Sequence, residues 1–154
     1  MGFPRAYFDG AAQNGICACG VYIITKEDQQ FSIYWNGEGT NNKVEAMALS
    51  GLLQFSIFLN IESLHIYGDS KFIIDHVNAN ISIKNHNLTG WMNRIDSLWR
   101  STKDYTITHV DRSQNSHADE LSKKGLQIQT GKWKMNITMG NEMHQIQDFS
   151  LPGA

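Results

Sequence analysis

The 154-residue chain has no apolar run approaching the roughly 18 residues that span a bilayer. Its opening, MGFPRAYFDG, lacks the apolar stretch of a signal peptide. A membrane-spanning protein and a secreted one are both set aside, and the expectation is an intracellular chain, cytoplasmic or nuclear. The Met-Gly start lacks the Ser or Thr at position 6 that myristoylation needs, because Ala6 stands there. Cysteine is scarce: Cys17 and Cys19 are the only two, and C-x-C spacing in a strand points both side chains to one face. That suits small packing residues in a reducing compartment better than a zinc site. Basic excess is missing as well. With 13 Lys+Arg against 15 Asp+Glu the net charge is -2, so any grip on nucleic acid must be local.

What is present fits one compact domain, with 41% hydrophobic residues over a length sufficient for a core. Residues 5–9 (RAYFD) and 16–25 (ICACGVYIIT) are rich in β-branched and aromatic residues and flank a turn-forming stretch from Gly10 to Gly15, which predicts a hairpin. FSIYWNG offers a third strand by alternation of Phe31, Ile33 and Trp35 against Ser32 and Tyr34. From Thr40 the period becomes helical, with Ala48, Leu49, Leu52 and Leu53 on one face and Thr40 or Asn41 as N-cap. SLHIYGD (63–69) reads as a strand, SKFIIDHVN (70–78) as a short helix and HNLTGWMNRIDSLWR (86–100) as an amphipathic one. YTITHV (105–110) is a last strand and NSHADELSKKG (115–125) a last helix closed by Gly125. Trp91 and Trp99 flank Ile95 on a helical stripe; Trp99 is expected in the core, and Trp91 is left open. The order βββαβααβα predicts an α/β sandwich with a mixed sheet. The domain covers residues 1–126, and residues 127–154 form a tail, read either as a hairpin of KWKMNITM with EMHQIQDF or as partly disordered.

Carboxylates that interrupt apolar elements are costly unless something neutralises them. Asp9 in YFDG and Asp69 in HIYGDS end predicted strands, where ligand sites are favoured. Glu45 heads the apolar stripe of Ala48, Leu49 and Leu52, and Asp119 adjoins Ala118 and Leu121. Singly, each has a plain alternative: a turn residue for Asp9 and Asp69, a first-turn acid facing the helix dipole for Glu45 and Asp119. Brought together, four carboxylates would repel one another unless cations sat between them. All-oxygen ligation selects Mg²⁺ or Mn²⁺ over zinc.

FDGAAQNG, GTNNKVEAMAL, IYGDSKFII and HVDRSQNSHADELSKKG stand in the order and approximate spacing of the motifs of type I ribonuclease H, which the chain resembles over residues 6–126. The clause H-V-x-R-x-x-N-x-x-A-D resembles the archaeal-type and plant-retroelement branch, which commonly lacks a basic protrusion; this sequence likewise shows no Lys/Arg-rich helix. The resemblance implies a ribonuclease H-like fold, with a five-stranded mixed sheet of three antiparallel and two parallel strands flanked by helices. It further implies that Asp9, Glu45, Asp69 and Asp119 hold two Mg²⁺ ions, with Mn²⁺ as a substitute. The implied activity is endonucleolytic hydrolysis of the RNA strand of an RNA:DNA hybrid, leaving 5′-phosphate and 3′-hydroxyl ends. The substrate contacts it carries over are the backbone of Gly10, Ala11 and Ala12 and the side chains of Asn14, Asn41 and Asn42, with Gln13 weaker. Short amides suit 2′-hydroxyls in a shallow minor groove, although Asn and Gly are equally favoured in turns and caps. Thr40 matches a position that in some relatives helps hold a DNA-strand phosphate, and it also suits a helix cap. His109, ten residues before Asp119, has the spacing of a mobile catalytic histidine. In this branch that residue usually ends the last strand, and Arg112 is the better-placed mobile group. The expected partner is the hybrid, with no membrane, for a monomer either free or part of a larger polyprotein.

The main rival is a noncatalytic ribonuclease H-like module of retroelement origin that binds nucleic acid or serves a structural role. An exonuclease of this fold typically carries D-x-E on the first strand, where this chain has Asp9-Gly10-Ala11. A phosphatase with an aspartyl nucleophile wants D-x-D at a strand end, and none occurs.

Overall fold

Residues 2–39, 41–79, 86–129 and 132–147 are described by the computed structural model. Three antiparallel strands open the chain: β1 (Arg5–Gln13), β2 (Ile16–Ile24) and β3 (Gln30–Glu38). Then come α1 (Asn41–Phe58), β4 (Ser63–Gly68), α2 (Lys71–Ala79), α3 (His86–Arg100), β5 (Asp104–His109), a 3-10 turn at Arg112–Gln114 and α4 (Ser116–Gly125). A final hairpin, β6 (Trp133–Met139) and β7 (Glu142–Gln147), completes the described chain. The sheet order is β5-β4-β1-β2-β3-β6-β7, parallel in the β1–β4 and β4–β5 pairs and antiparallel elsewhere.

The sheet therefore has seven strands rather than the expected five. The two extra strands come from the C-terminal hairpin, which pairs with β3 from Gln30↔Thr138 to Trp35↔Trp133. An unpaired β3 edge would present a row of bare backbone groups, and β6 covers it while burying Met135 beside Ile33. The first hairpin also differs from expectation. The turn foreseen over Gly10 to Gly15 shrinks to Asn14-Gly15, both at positive φ (54° and 80°), because Gly10, Ala11 and Ala12 pair with Cys19, Ala18 and Cys17.

Alternation along the strands divides the sheet into two faces. Phe8, Gly10, Cys19, Val21, Ile33 and Trp35 share the face under α1, where a Cβ on Gly51 would strike the Trp35 ring. Helix α1 is buried almost all round, with Leu49, Leu52, Leu53 and Phe55 in the core between the sheet and α3. Cys17 and Cys19, free and buried, lie on this same face. Trp35 is buried too, and the partly buried Trp99 packs edge-on against Tyr105. Trp91 is half-buried against the core.

The opposite face carries Asp9, Gly20 and Tyr34 and receives α4. Over Gly20 this helix seats directly on the strand: a Cβ there would stand 2.5 Å from the Ala118 carbonyl oxygen and from the Ser122 nitrogen. Gly125 closes the helix as read from the sequence and is its last residue; a Cβ there would stand 2.8 Å from the Trp35 carbonyl oxygen. The Asn36 amide closes that end, donating to the carbonyls of Gly125 (2.7 Å) and Ile128 (3.0 Å).

The close seating of α4 is testable by paired glycine substitutions. Gly20→Ala should cost about 1–3 kcal/mol, since backbone cannot yield as a flexible side chain can. Gly90→Ala, facing open space on α3, should be neutral or gain up to about 1 kcal/mol. Urea unfolding measures both, and equal effects would show that α4 does not press on β2.

Candidate active site

The β1–β4 ladder ends at Phe8↔Gly68 while β1 and β2 run on together to Gln13↔Ile16. Asp9 sits at that divergence. It lies mid-strand rather than at the strand end read from the sequence, yet the side vacated by β4 leaves it accessible to Asp69, the residue that follows β4. Glu45 reaches the same point from α1. Oxygens of Asp9, Glu45 and Asp69 lie within 4.8 Å of one another. Gly10 sets the depth of α1, because a Cβ there would stand 2.8 Å from the Val44 methyls. The Gly10 N–H then donates to Glu45 Oε1 at 3.1 Å.

Burial is the leading cause of the site's electrostatics. It pushes the Asp9 carboxyl up to about 7, helped by the Asp69 charge and opposed by hydrogen bonds with Glu45 and Gly10. Glu45 is pushed up further, first by burial and then by Asp9. Glu45 Oε2 and Asp69 Oδ2 are buried with no hydrogen-bond partner. Two unpaired buried carboxylate oxygens beside a third acid fit a divalent cation held by oxygen donors.

Asp119 approaches Asp9 from the α4 side and lies outside the tight trio. Burial works against its charge, but hydrogen bonds with Lys123 and Asp9 and the charges of Lys123 and Arg112 leave it below the ordinary carboxylate range. Lys123 Nζ stands 3.0 Å from Asp119 Oδ2. Asn115 fixes this helix start. Its buried side-chain amide donates to the Phe8 carbonyl (2.9 Å), and its backbone carbonyl accepts the Asp119 N–H (3.0 Å). The sequence placed Asn115 inside a motif, but only its burial shows that it ties α4 to the residue before Asp9.

The remaining candidates divide by location. Ala12, Gln13, Asn14 and Asn41, with Gly15 and Gly39, line a shallow groove of about 200 Å³. Ala11 lies between Gly10 and this groove on β1. Asn42 lies in α1, its side chain outside the described residues, and Thr40 lies outside them altogether. His109 ends β5 opposite Gly68, exposed; Arg112, also exposed, is close enough for its charge to act on Asp119. A larger cleft, about 420 Å³, is lined by Pro4, Lys26, Asn60 and Glu62 among others at the other end of β1, and among the described residues no group of three or more acids gathers there.

Residues 7–125 match the family model described as reverse transcriptase-like. The chain belongs to this family, of type I ribonuclease H kind. Ribonuclease HI of Halobacterium salinarum is 27% identical over 129 residues, 81% of this chain; the chain spans 65% of that relative's length. The crystal structure of ribonuclease H1 from the same archaeon has a TM-score of 0.71 at 25% identity, covering 80% of this chain and 97% of that one. LC11-RNase H1 in complex with an RNA/DNA hybrid, whose enzyme was isolated from compost by a metagenomic approach, gives 0.69 at 22% identity, covering 81% and 97%. The N-terminal ribonuclease H domain of a Mycobacterium tuberculosis protein gives 0.72 at 19%, covering 80% and 93%. These last two show the fold. The reverse transcriptase-like family's fold is thus the one that brings Asp9, Glu45 and Asp69 together here.

The raised carboxyls fix a sign for the pH dependence of stability. A group whose folded pKa exceeds its unfolded value stabilises fully below the unfolded value, about 4 here. That stability is lost as pH rises through about 7 for Asp9 and about 9 for Glu45. In chelator, Tm should therefore fall between pH 5 and pH 9, by about 2–4 °C for each kcal/mol lost. Millimolar Mg²⁺ should flatten or reverse the fall. A Tm that climbs over this window in chelator, or is indifferent to Mg²⁺, would contradict the buried cluster.

Proposed function

We propose that this chain is a metal-dependent ribonuclease H that cuts the RNA strand of RNA:DNA hybrids endonucleolytically, leaving 5′-phosphate and 3′-hydroxyl ends. The observation that carries this reading is the cluster of buried Asp9 with the partly buried Glu45 and Asp69, two of whose oxygens are buried without a partner. Asp9, Glu45 and Asp69, with Asp119 beside them, would hold two Mg²⁺ ions, or Mn²⁺ in their place. Bound there, the ions supply Lewis acidity, acidifying a water and offsetting charge at the phosphate.

The chain's own residues account for the rest. Gly10 N–H holds one Glu45 oxygen and leaves the other for ligation. Asn115 and Lys123 hold Asp119 ionised and in place. Asn14 and Asn41 in the groove offer short amides to sugar hydroxyls, by which RNA is told from DNA. Arg112 sets a cation near the acids, able to stabilise charge that grows at the phosphate as the bond breaks. The hybrid carried by LC11-RNase H1, a protein of this fold, supports the substrate class.

Cleavage of labelled RNA:DNA hybrid, duplex RNA and duplex DNA, with and without Mg²⁺, tests the reading. Only hybrid with metal should be cut. Asp69→Asn should lower cleavage by about 100-fold or more, the scale of a lost electrostatic group at a reaction centre. It should leave Tm unchanged or higher, since it removes a charge that repels Asp9. Cleavage within about tenfold of wild type would remove Asp69 from the ligand set.

Arg112 and His109 separate by a second measurement. Arg112→Ala should cut turnover about tenfold or more, well beyond His109→Ala, with metal affinity unchanged in both. The reverse order would make His109 the mobile group.

A further inference from the structure

The sheet face that carries Asp9 receives α4 over β1, β2 and β3. Alternation places Arg5 and Tyr7 of β1, Tyr22 of β2, Tyr67 of β4 and Thr108 of β5 on that same face. A solvated sheet face is ordinarily polar, whereas this one carries half-buried rings.

The rings form a series. His117 of α4 stacks on Tyr22, with centroids 3.7 Å apart and planes 10° apart. Tyr22 lies 6.3 Å from Tyr7, and Tyr7 lies 5.3 Å from Tyr67, both pairs stacked. The series thus runs from α4 over β2 and β1 to β4. One face of the Tyr67 ring is turned to Tyr7, so by the strand order the other is turned toward β5. There its ladder partner is Thr108, exposed and too short to cover a ring. Among the described residues no further ring stacks on Tyr67. The series therefore ends in an aromatic face open above a small residue.

Position and charge narrow what fits that face. Tyr67 stands two residues before Asp69, roughly 7 Å along the chain at strand spacing, and Thr108 directly precedes His109. The open ring face is thus continuous with the acid cluster. Arg5, two residues before Tyr7, adds a half-buried cation, close enough for its charge to act on Tyr22. A flat ring beside a cation suits a nucleobase and its phosphate, and it does so whatever the base, since every base has a flat face.

On the ribonuclease H reading above, we propose that Tyr67 stacks a base of unpaired RNA running on from the RNA strand at the acids, which adds one ring to the series of His117, Tyr22, Tyr7 and Tyr67. Sheets that read single-stranded RNA use aromatic side chains in this way. The rival role is packing, in which the rings only support the sheet.

Equilibrium binding in chelator separates the two without cleavage. The probes are a labelled blunt RNA:DNA hybrid and the same hybrid with unpaired RNA of about ten nucleotides added at its 5′ or its 3′ end, a length within the span of single-strand sites. Wild type should bind one of the extended hybrids about tenfold more tightly than the blunt one, the scale of one stacked base. Tyr67→Phe should keep that gain and Tyr67→Ser should lose it. Thr108→Tyr, at an exposed position, sets the chain's own ring against Tyr67 and should lose the gain as well, which keeps the test open if Tyr67→Ser does not fold. With abasic sugars in the extension, wild type should bind near the blunt value.

Wild type that cuts hybrid yet binds blunt and extended hybrids alike overturns this proposal and leaves the ribonuclease H reading standing. So does a gain that survives Thr108→Tyr or a folded Tyr67→Ser, a gain lost in Tyr67→Phe, or one kept in full with abasic sugars, which would put the added contact on phosphates. Wild type that neither binds nor cuts hybrid takes down both.

Discussion

Holding three carboxylates with oxygens within 4.8 Å of one another, where β4 ends beside Asp9, is the constraint on which the rest of the structure turns. At an effective dielectric of about 20, two unit charges about 4 Å apart repel by about 4 kcal/mol. Three full charges in that space are untenable without cations or protons. The raised Asp9 and Glu45 carboxyls are the proton solution, reached when burial and mutual repulsion act together. Metal binding must then displace protons, so affinity for a divalent ion rises with pH over the range in which the bare fold weakens. One cluster links stability, acidity and ligation, and a change in any one shifts the other two.

The acids are held from both faces of the sheet, and this is why close backbone approaches matter more here than large side chains. On one face Gly10 lets α1 down against β1, and Glu45 arrives within reach of the Gly10 N–H. On the other, Gly20 lets α4 down against β2, and Asn115 ties its start to Phe8. Asp9 lies between. A side chain added at either glycine would lift a helix and carry its carboxylate away from the centre. The apolar core supplies rigidity behind this arrangement, with Phe8, Leu49, Leu52 and Ile66 fully buried, so the acids cannot relax apart by local yielding.

Much of this was legible in the residues, for reasons that also mark the limit. Strong periodicity gave α1 and the first three strands, because a half-buried strand and a core helix each impose a spacing that composition cannot hide. The four acids stood out because each interrupts apolar sequence. The length of β1 did not show, since Gly10, Ala11 and Ala12 are small and carry no alternation, and Gly next to Asn14-Gly15 read as more turn. The sixth and seventh strands were visible as a candidate hairpin, but nothing local indicated that Trp133–Met139 would add to β3, a pairing about a hundred residues distant. Asn115 shows the same limit. Its amide bonds a carbonyl 107 residues away, and a buried partner at that separation leaves no trace in neighbouring residues.

A chain of net charge -2 meeting a polyanion needs its cations in the right places rather than in excess. Setting aside Asp9, Glu45, Asp69 and Asp119, of which a bound metal would neutralise the charge, 11 acids remain against 13 bases. Position then decides. Screening in physiological salt confines a charge's reach to about 8 Å, so lysines scattered elsewhere contribute little at the cleavage point. Arg112 and Lys123 flank Asp119, and Lys43, two residues before Glu45 on α1, lies across Gly39, one of the residues lining the groove. Each is near an acid of the site or the groove beside it, and two of the three already act on Asp119. With metal absent, ionised acids of the cluster would repel a phosphate backbone; two divalent ions would offset the four acid charges, and these cationic side chains would then set the local sign. The acids thus make metal binding a condition for productive contact with nucleic acid at the cleavage point, and a net acidic chain needs no basic protrusion to achieve that.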